Sequence, residues 1–195
     1  MIAGVSVYTL PAFSQTFIYS RELVISGQIW RLFTGHFVHF TLSHLILNLA
    51  SIIIIFFLFM KVNIRAKDII NLYLFSGTII SMVLLFFAPD MAFYGGLSSL
   101  IISYASYFCL HSIQTKSLPL WLSSGFLFLL TGKLVLELHG ASSIVFGSQD
   151  NIKVATIAHI AGVIAAIIYW VLTRIKHHIK EQLDIYYTNS LSKQH

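Results

Sequence analysis

The feature that most constrains this fold is a succession of long apolar runs: residues 45–60, 69–88, 97–113, 120–138 and 154–173. None alternates apolar with polar residues, so none reads as a half-buried strand. Hydrocarbon offers no partner to a backbone N–H or C=O, and a helix satisfies those groups within itself. The runs therefore predict an all-α membrane protein. Composition agrees, with 57% hydrophobic and 10% charged residues, against about 25% charged in soluble domains. Mean hydropathy is +0.82. The net charge of +5 does not argue for a nucleic-acid partner. Its basic residues sit in short loops and at the carboxy end, where membrane topology accounts for them. The single cysteine, Cys109, has no internal disulfide partner.

Residues 2–19 are apolar enough for a short or irregular first helix. They carry Pro11, Ser14, Gln15 and Thr16, and lack the basic start of a signal peptide. The expectation is one domain over residues 1–195 with six spans, at roughly 2–19, 45–60, 69–88, 97–113, 120–138 and 154–173. A polar, aromatic loop at 20–43 suits the membrane interface, a second loop covers 139–153, and residues 174–195 form a cytoplasmic tail that starts helical and frays. Lys61, Arg65 and Lys67 follow the second span, Lys116 the fourth, and Arg174, Lys176 and Lys180 the sixth. The positive-inside rule makes those ends cytoplasmic. The first loop, the turn at residues 94–98 and the start of the sixth span then share the outer side.

Polar groups inside apolar helices are costly and point to function. Ser98 follows Tyr94-Gly95-Gly96 and opens the fourth span. Backbone N–H groups at a helix start lack intrahelical partners and can hold an oxyanion. His159 lies about one turn into the sixth span. At 1.5 Å rise per residue, both groups fall within ~10 Å of one membrane face. Imidazole is the usual base for a serine nucleophile. Ser99, Ser103 and Ser106 form one small-residue stripe, and Ala158, Gly162 and Ala166 another; such stripes let membrane helices approach closely. His44 and Asn48 share a helix face, four residues apart, with His39 just before them. Their N–H groups suit oxyanion stabilisation. The plainer alternatives are a loop end with a packed serine, a structural histidine and two packing faces. A metal site would use His36, His39 and His44 as ligands, but no cysteine pair or HExxH pattern supports it.

Taken together these residues resemble the rhomboid family of intramembrane serine proteases. The resemblance rests on Trp30-Arg31, on His39, His44 and Asn48, on Gly96-x-Ser98, and on Ala158-His159-x-x-Gly162. The wording of residues 27–39, Gly-Gln-Ile-Trp-Arg-Leu-Phe-Thr-Gly-His-Phe-Val-His, and the small size without an added domain or seventh helix resemble the rhombosortase branch. The resemblance implies a six-helix bundle and a Ser98–His159 dyad without a third, acidic member. His44, Asn48 and the Ser98 N–H would hold the oxyanion. Gly95 and Gly96 would let substrate lie close, and Trp30-Arg31 would brace the first loop. It implies no cofactor and no metal. The implied partners are membrane lipid and transmembrane protein substrates, in this branch exported proteins with a carboxy-terminal Gly-Gly motif, an apolar helix and a basic end. The implied location is a bacterial inner membrane with the site facing the periplasm. This chain has Ser99 where the family usually has glycine, Ile102 where an aromatic or histidine is common, and Ala166 where glycine is frequent.

Two other functions compete. One is a non-catalytic rhomboid-like protein that binds or escorts transmembrane segments. The other is a small transporter or metal-handling protein built on the histidines. Water would reach Ser98 past His36, His39, Thr41 and Ser43.

Overall fold

The computed structural model describes residues 15–60, 62, 64–139 and 155–192. The expected first span lies mostly outside these residues, as does nearly all of the loop expected at 139–153. The described chain is mostly helical. Its elements are β1 (Tyr19–Ser20), α1 (Arg21–Ile25), α2 (Arg31–Thr34), a 3-10 turn (Gly35–Phe37), α3 (Leu42–Phe59), α4 (Ala66–Phe87), β2 (Phe93–Tyr94), α5 (Ser98–Thr115), α6 (Leu120–Leu138) and α7 (Thr156–Ser192). Three helices, α4, α6 and α7, are long and apolar enough to cross a membrane. A fourth span results if Arg31–Phe37 and Leu42–Leu58, bent by 90° to each other, act as one. The six-span count rests on less than this: α5 is helical where a span was expected, but its serines dilute it.

Helix ends follow local chemistry. Thr41 caps α3, its hydroxyl accepting from the His44 N–H at 3.1 Å, which meets one of the donors a helix start leaves open. Helix α4 stops at Ala88, before Pro89, where the proline ring disfavours helical geometry. Lys116 ends α5 in the left-handed conformation at φ 53°. Helix α7 runs on through Leu172 to Ser192, so the expected tail continues the span through Ser192, with no break at 173–174.

The segment expected as a loop at 20–43 is built of short ordered pieces. Tyr19 pairs with Tyr94, and Ser20 with Phe93, in a two-stranded antiparallel ribbon. Arg31 is buried; its Nη1 donates to the carbonyls of Gln15 at 2.9 Å and Ile18 at 2.7 Å, and its Nε to Gln28 Oε1 at 2.7 Å. Trp30 Nε1 donates to the Thr16 carbonyl at 3.2 Å. A charge this buried is tolerable because every bond goes to an oxygen acceptor. The loop's first half is thus pinned by its own Trp30-Arg31.

Helices α4, α5 and α7 form the packed centre. Leu72, Ile80 and Leu84 of α4, Leu100, Ala105 and Cys109 of α5, and Ala158, Ala165 and Ala166 of α7 are buried. The two small-residue stripes meet there: a Cβ added at Gly162 would stand 2.4 Å from the Ser99 carbonyl oxygen. Lipid supplies no hydrophobic drive between helices, so such close packing and interhelical hydrogen bonds hold them. Ser76 of α4 and Ser103 of α5 make one such bond at 2.7 Å. Helices α3 and α6 lie outside, with Phe56, Phe57, Trp121 and Phe128 exposed.

Candidate active site

The amino ends of α5 and α7 and the carboxy end of α6 bring three side chains into line. Ser98, the first residue of α5, is half-buried, and His159 of α7 is buried. The Ser98 hydroxyl lies 2.8 Å from His159 Nε2. On the far side of the ring, His159 Nδ1 lies 2.6 Å from Glu137 Oε2. Glu137 also accepts from Lys133 Nζ, four residues earlier on α6. The dyad expected from the sequence has no third, acidic member, yet a carboxylate stands against the imidazole. Glu137 reaches the ring because α6 ends one residue past it, beside His159. The signal was present: a carboxylate near the end of an apolar run, at the level of the other two groups.

The turn before Ser98 is shaped by contacts that only glycine permits. Gly96 has φ +126°, where side chains are strained. A Cβ there would also stand 2.4 Å from His44 Cε1. A Cβ at Gly95 would come 2.7 Å from the Val38 carbonyl. The turn therefore sits directly on the His44 ring and the first loop. Tyr94 is buried beneath it, and desolvation pushes its phenol well above the ordinary range. The phenol keeps its proton and donates to the Gly96 carbonyl at 3.1 Å, while the Ser99 hydroxyl donates to the phenol oxygen at 2.5 Å. The sequence points neither to Tyr94 as a support nor to this use of Ser99; a phenol bonding two residues ahead leaves no pattern in sequence.

His44 and Asn48 face inward from α3 and are buried. Asn48 Nδ2 donates to His39 Nε2 at 2.8 Å, and His39 Nδ1 donates to the Phe37 carbonyl at 3.1 Å. His39 thereby fixes which way the Asn48 amide points. The His39 and His44 rings meet edge-on with centroids 5.0 Å apart. His36 departs from this group. It is buried against α4, its Nε2 near the Gly77 carbonyl at 3.4 Å and Ser81 Oγ at 3.3 Å. The three histidines therefore do not converge on one point, and among the described residues no three His, Cys, Asp or Glu groups could hold a metal. The expected water path past His36 and His39 is also corrected: both are buried, and only Ser43 of that set is exposed.

Trp30 and Arg31 hold residues 15–18 through hydrogen bonds to the Gln15, Thr16 and Ile18 carbonyls. Gly162 lies one turn beyond His159 and sets the α5–α7 approach. Ile102 is buried one turn after Ser98. The arrangement as a whole offers a hydroxyl, a base with its second nitrogen engaged, and amide and imidazole N–H groups beside a helix start. That set can run nucleophilic acyl transfer.

Residues 26–176 match the family model for the Rhomboid domain. No curated protein matches the chain significantly.

Proposed function

The chain belongs to the rhomboid family, and on that premise we propose that it is an intramembrane serine endopeptidase with Ser98 as nucleophile and His159 as base. The observation that carries the reading is the 2.8 Å approach of Ser98 Oγ to His159 Nε2, between residues on different helices. The Ser98 oxygen attacks a peptide carbonyl while its proton passes to Nε2. His159 then protonates the departing amine, leaving an acyl-enzyme. Water, deprotonated by the same nitrogen, releases the carboxylate product and restores the serine. The tetrahedral oxygen would be held by the Ser98 backbone N–H, the second Asn48 amide hydrogen and His44.

The same reading takes the domain as a six-helix rhomboid bundle over residues 1–195, with residues 174–195 as a cytoplasmic tail. Ser98 would open to the periplasmic side of a bacterial inner membrane. Trp30 and Arg31 brace the first loop, and Gly95, Gly96 and His39 shape the turn and its donors. The wording of residues 27–39 supports the rhombosortase branch. Substrates would then be exported proteins carrying Gly-Gly, an apolar helix and a basic end.

The test is co-expression with a reporter bearing such a tail, read by mass spectrometry. Wild type should cleave it near the apolar helix. Ser98→Ala and His159→Ala should give no product while remaining folded and membrane-inserted. Cleavage by purified Ser98→Ala would overturn the reading. Intact reporter that co-purifies with wild type would leave an escort of transmembrane segments in its place.

A further inference from the structure

We propose that Glu137 is a positioning residue of the active site, the third member of a Ser98–His159–Glu137 array, with Lys133 paired to its carboxylate. The inference rests on the protease reading and deepens it. Three observations carry it, each independent of the others.

The first is geometric. Glu137 Oε2 lies 2.6 Å from His159 Nδ1 while Ser98 Oγ lies 2.8 Å from Nε2. An ionised carboxylate can only accept. It therefore holds the ring proton on Nδ1, and Nε2 is left with a bare lone pair toward the serine. Without that acceptor the imidazole can carry its proton on Nε2 instead, where it cannot take another from Ser98.

The second is placement. Of the three helices long and apolar enough to cross a membrane, α6 is the least covered by the rest of the protein, with 6% of its apolar window buried. Its two charged residues are Lys133 and Glu137. The Glu137 side chain is only 7% exposed and that of His159 5%, whereas that of Lys133 is 46% exposed. A charge inside an apolar helix is costly and faces a partner or a cavity. Of all directions open to it on this outlying helix, the carboxylate takes the one that meets the imidazole.

The third is the order of the pair. Helices favour glutamate four residues before lysine, because that order opposes the helix dipole. Here lysine comes first, the order that adds less to helix stability. Lys133 donates to Oε1 and leaves Oε2 for His159.

The chemistry balances. As the Ser98 oxygen bonds to the substrate carbonyl carbon, its proton moves to Nε2 and the ring becomes an imidazolium. The Nδ1 proton stays on nitrogen, hydrogen-bonded to Glu137, whose negative charge offsets the new positive one. The Nε2 proton then leaves with the amine. Glu137 touches no reacting atom.

The test uses the purified full chain in detergent and a fluorophosphonate probe, read as kinact and KI, with the folded fraction of each variant fixed by thermal melting. Glu137→Gln keeps the volume and removes the charge. It should lower kinact at least tenfold with KI within threefold of wild type, while Glu137→Asp recovers part of the loss. Lys133→Met should lower kinact by a smaller factor. A Glu137→Gln variant that is folded and reacts within twofold of wild type would overturn the role, as would a change confined to KI. Either result leaves the protease reading standing. Wild type that fails to label, or labelling that survives in Ser98→Ala, would instead remove the protease reading and this role with it.

Discussion

Helices α6 and α7 both pack against α5 and are held by different means. Helix α7 lies against α4 and α5 with alanines and glycine at the seam, so near that the Gly162 Cα faces the Ser99 carbonyl. Helix α6 presents Trp121, Phe128 and Leu129 to its surroundings and meets the bundle through Phe126 and Leu127, packed against the cluster of Ile55, Ile101 and Cys109, and at a few polar points. Ser123 donates to Ser112 at 3.2 Å in its first half, and Glu137 meets His159 at its carboxy end. The difference teaches where precision comes from in this molecule. Backbone proximity sets His159 close to Ser98, and a single carboxylate engages the ring that the backbone carries.

The two helices each contain a glycine whose replacement tests this directly. Gly162→Ala places a methyl 2.4 Å from a backbone oxygen, so the helices must part. The expected cost is about 3 kcal/mol or more, a fall of about 6–12 °C in the melting midpoint. Activity should fall further than stability, since Ser98 and His159 separate with the helices. Gly132→Ala in α6 meets open space and should change stability by no more than about 1 kcal/mol, in the stabilising direction. Equal losses at the two glycines, measured by thermal melting in detergent, would erase the contrast.

Smaller effects sharpen it. Ser103→Ala leaves the buried Ser76 hydroxyl without its 2.7 Å partner and should cost about 1 kcal/mol. Ser123→Ala removes the longer bond to Ser112 and should cost about half of that. Phe128→Leu, on the exposed face of α6, should stay within about 0.5 kcal/mol. A Phe128→Leu loss matching that of Ser103→Ala would mean that α6 is packed against something its surroundings here do not reveal.

Much of the helix layout was legible because each run needs about 20 apolar residues to cross hydrocarbon, and that demand is written in composition. The level shared by Ser98 and His159 was legible from rise per residue, and their helices' seam from the small-residue stripes. The rest depends on distant partners. Residues 20–43 read as an irregular loop because α1, α2 and the 3-10 turn are too short to carry a period; Arg31 and the Tyr19–Tyr94 pairing give them their shape. His36 looked like a companion of His39, yet a 3-10 turn between Gly35 and Phe37 sends it toward Ser81. Glu137 was visible as a charge at a span's end, but its link to His159 crosses from α6 to α7, and no local spacing records such a contact. Ser99, a departure from the family's glycine, acquires a use only once Tyr94 is seen beneath the turn.

That phenol has a mechanical consequence. Tyr94 is clasped from two directions, by β1 through the Tyr19 pairing and by the serine turn through Ser99 and Gly96. A pull on the stretch leading into β1 would therefore be felt at the bend that carries the Ser98 hydroxyl. Strand β1 and Ser98 are, in effect, two ends of one short linkage with an aromatic ring as its pin.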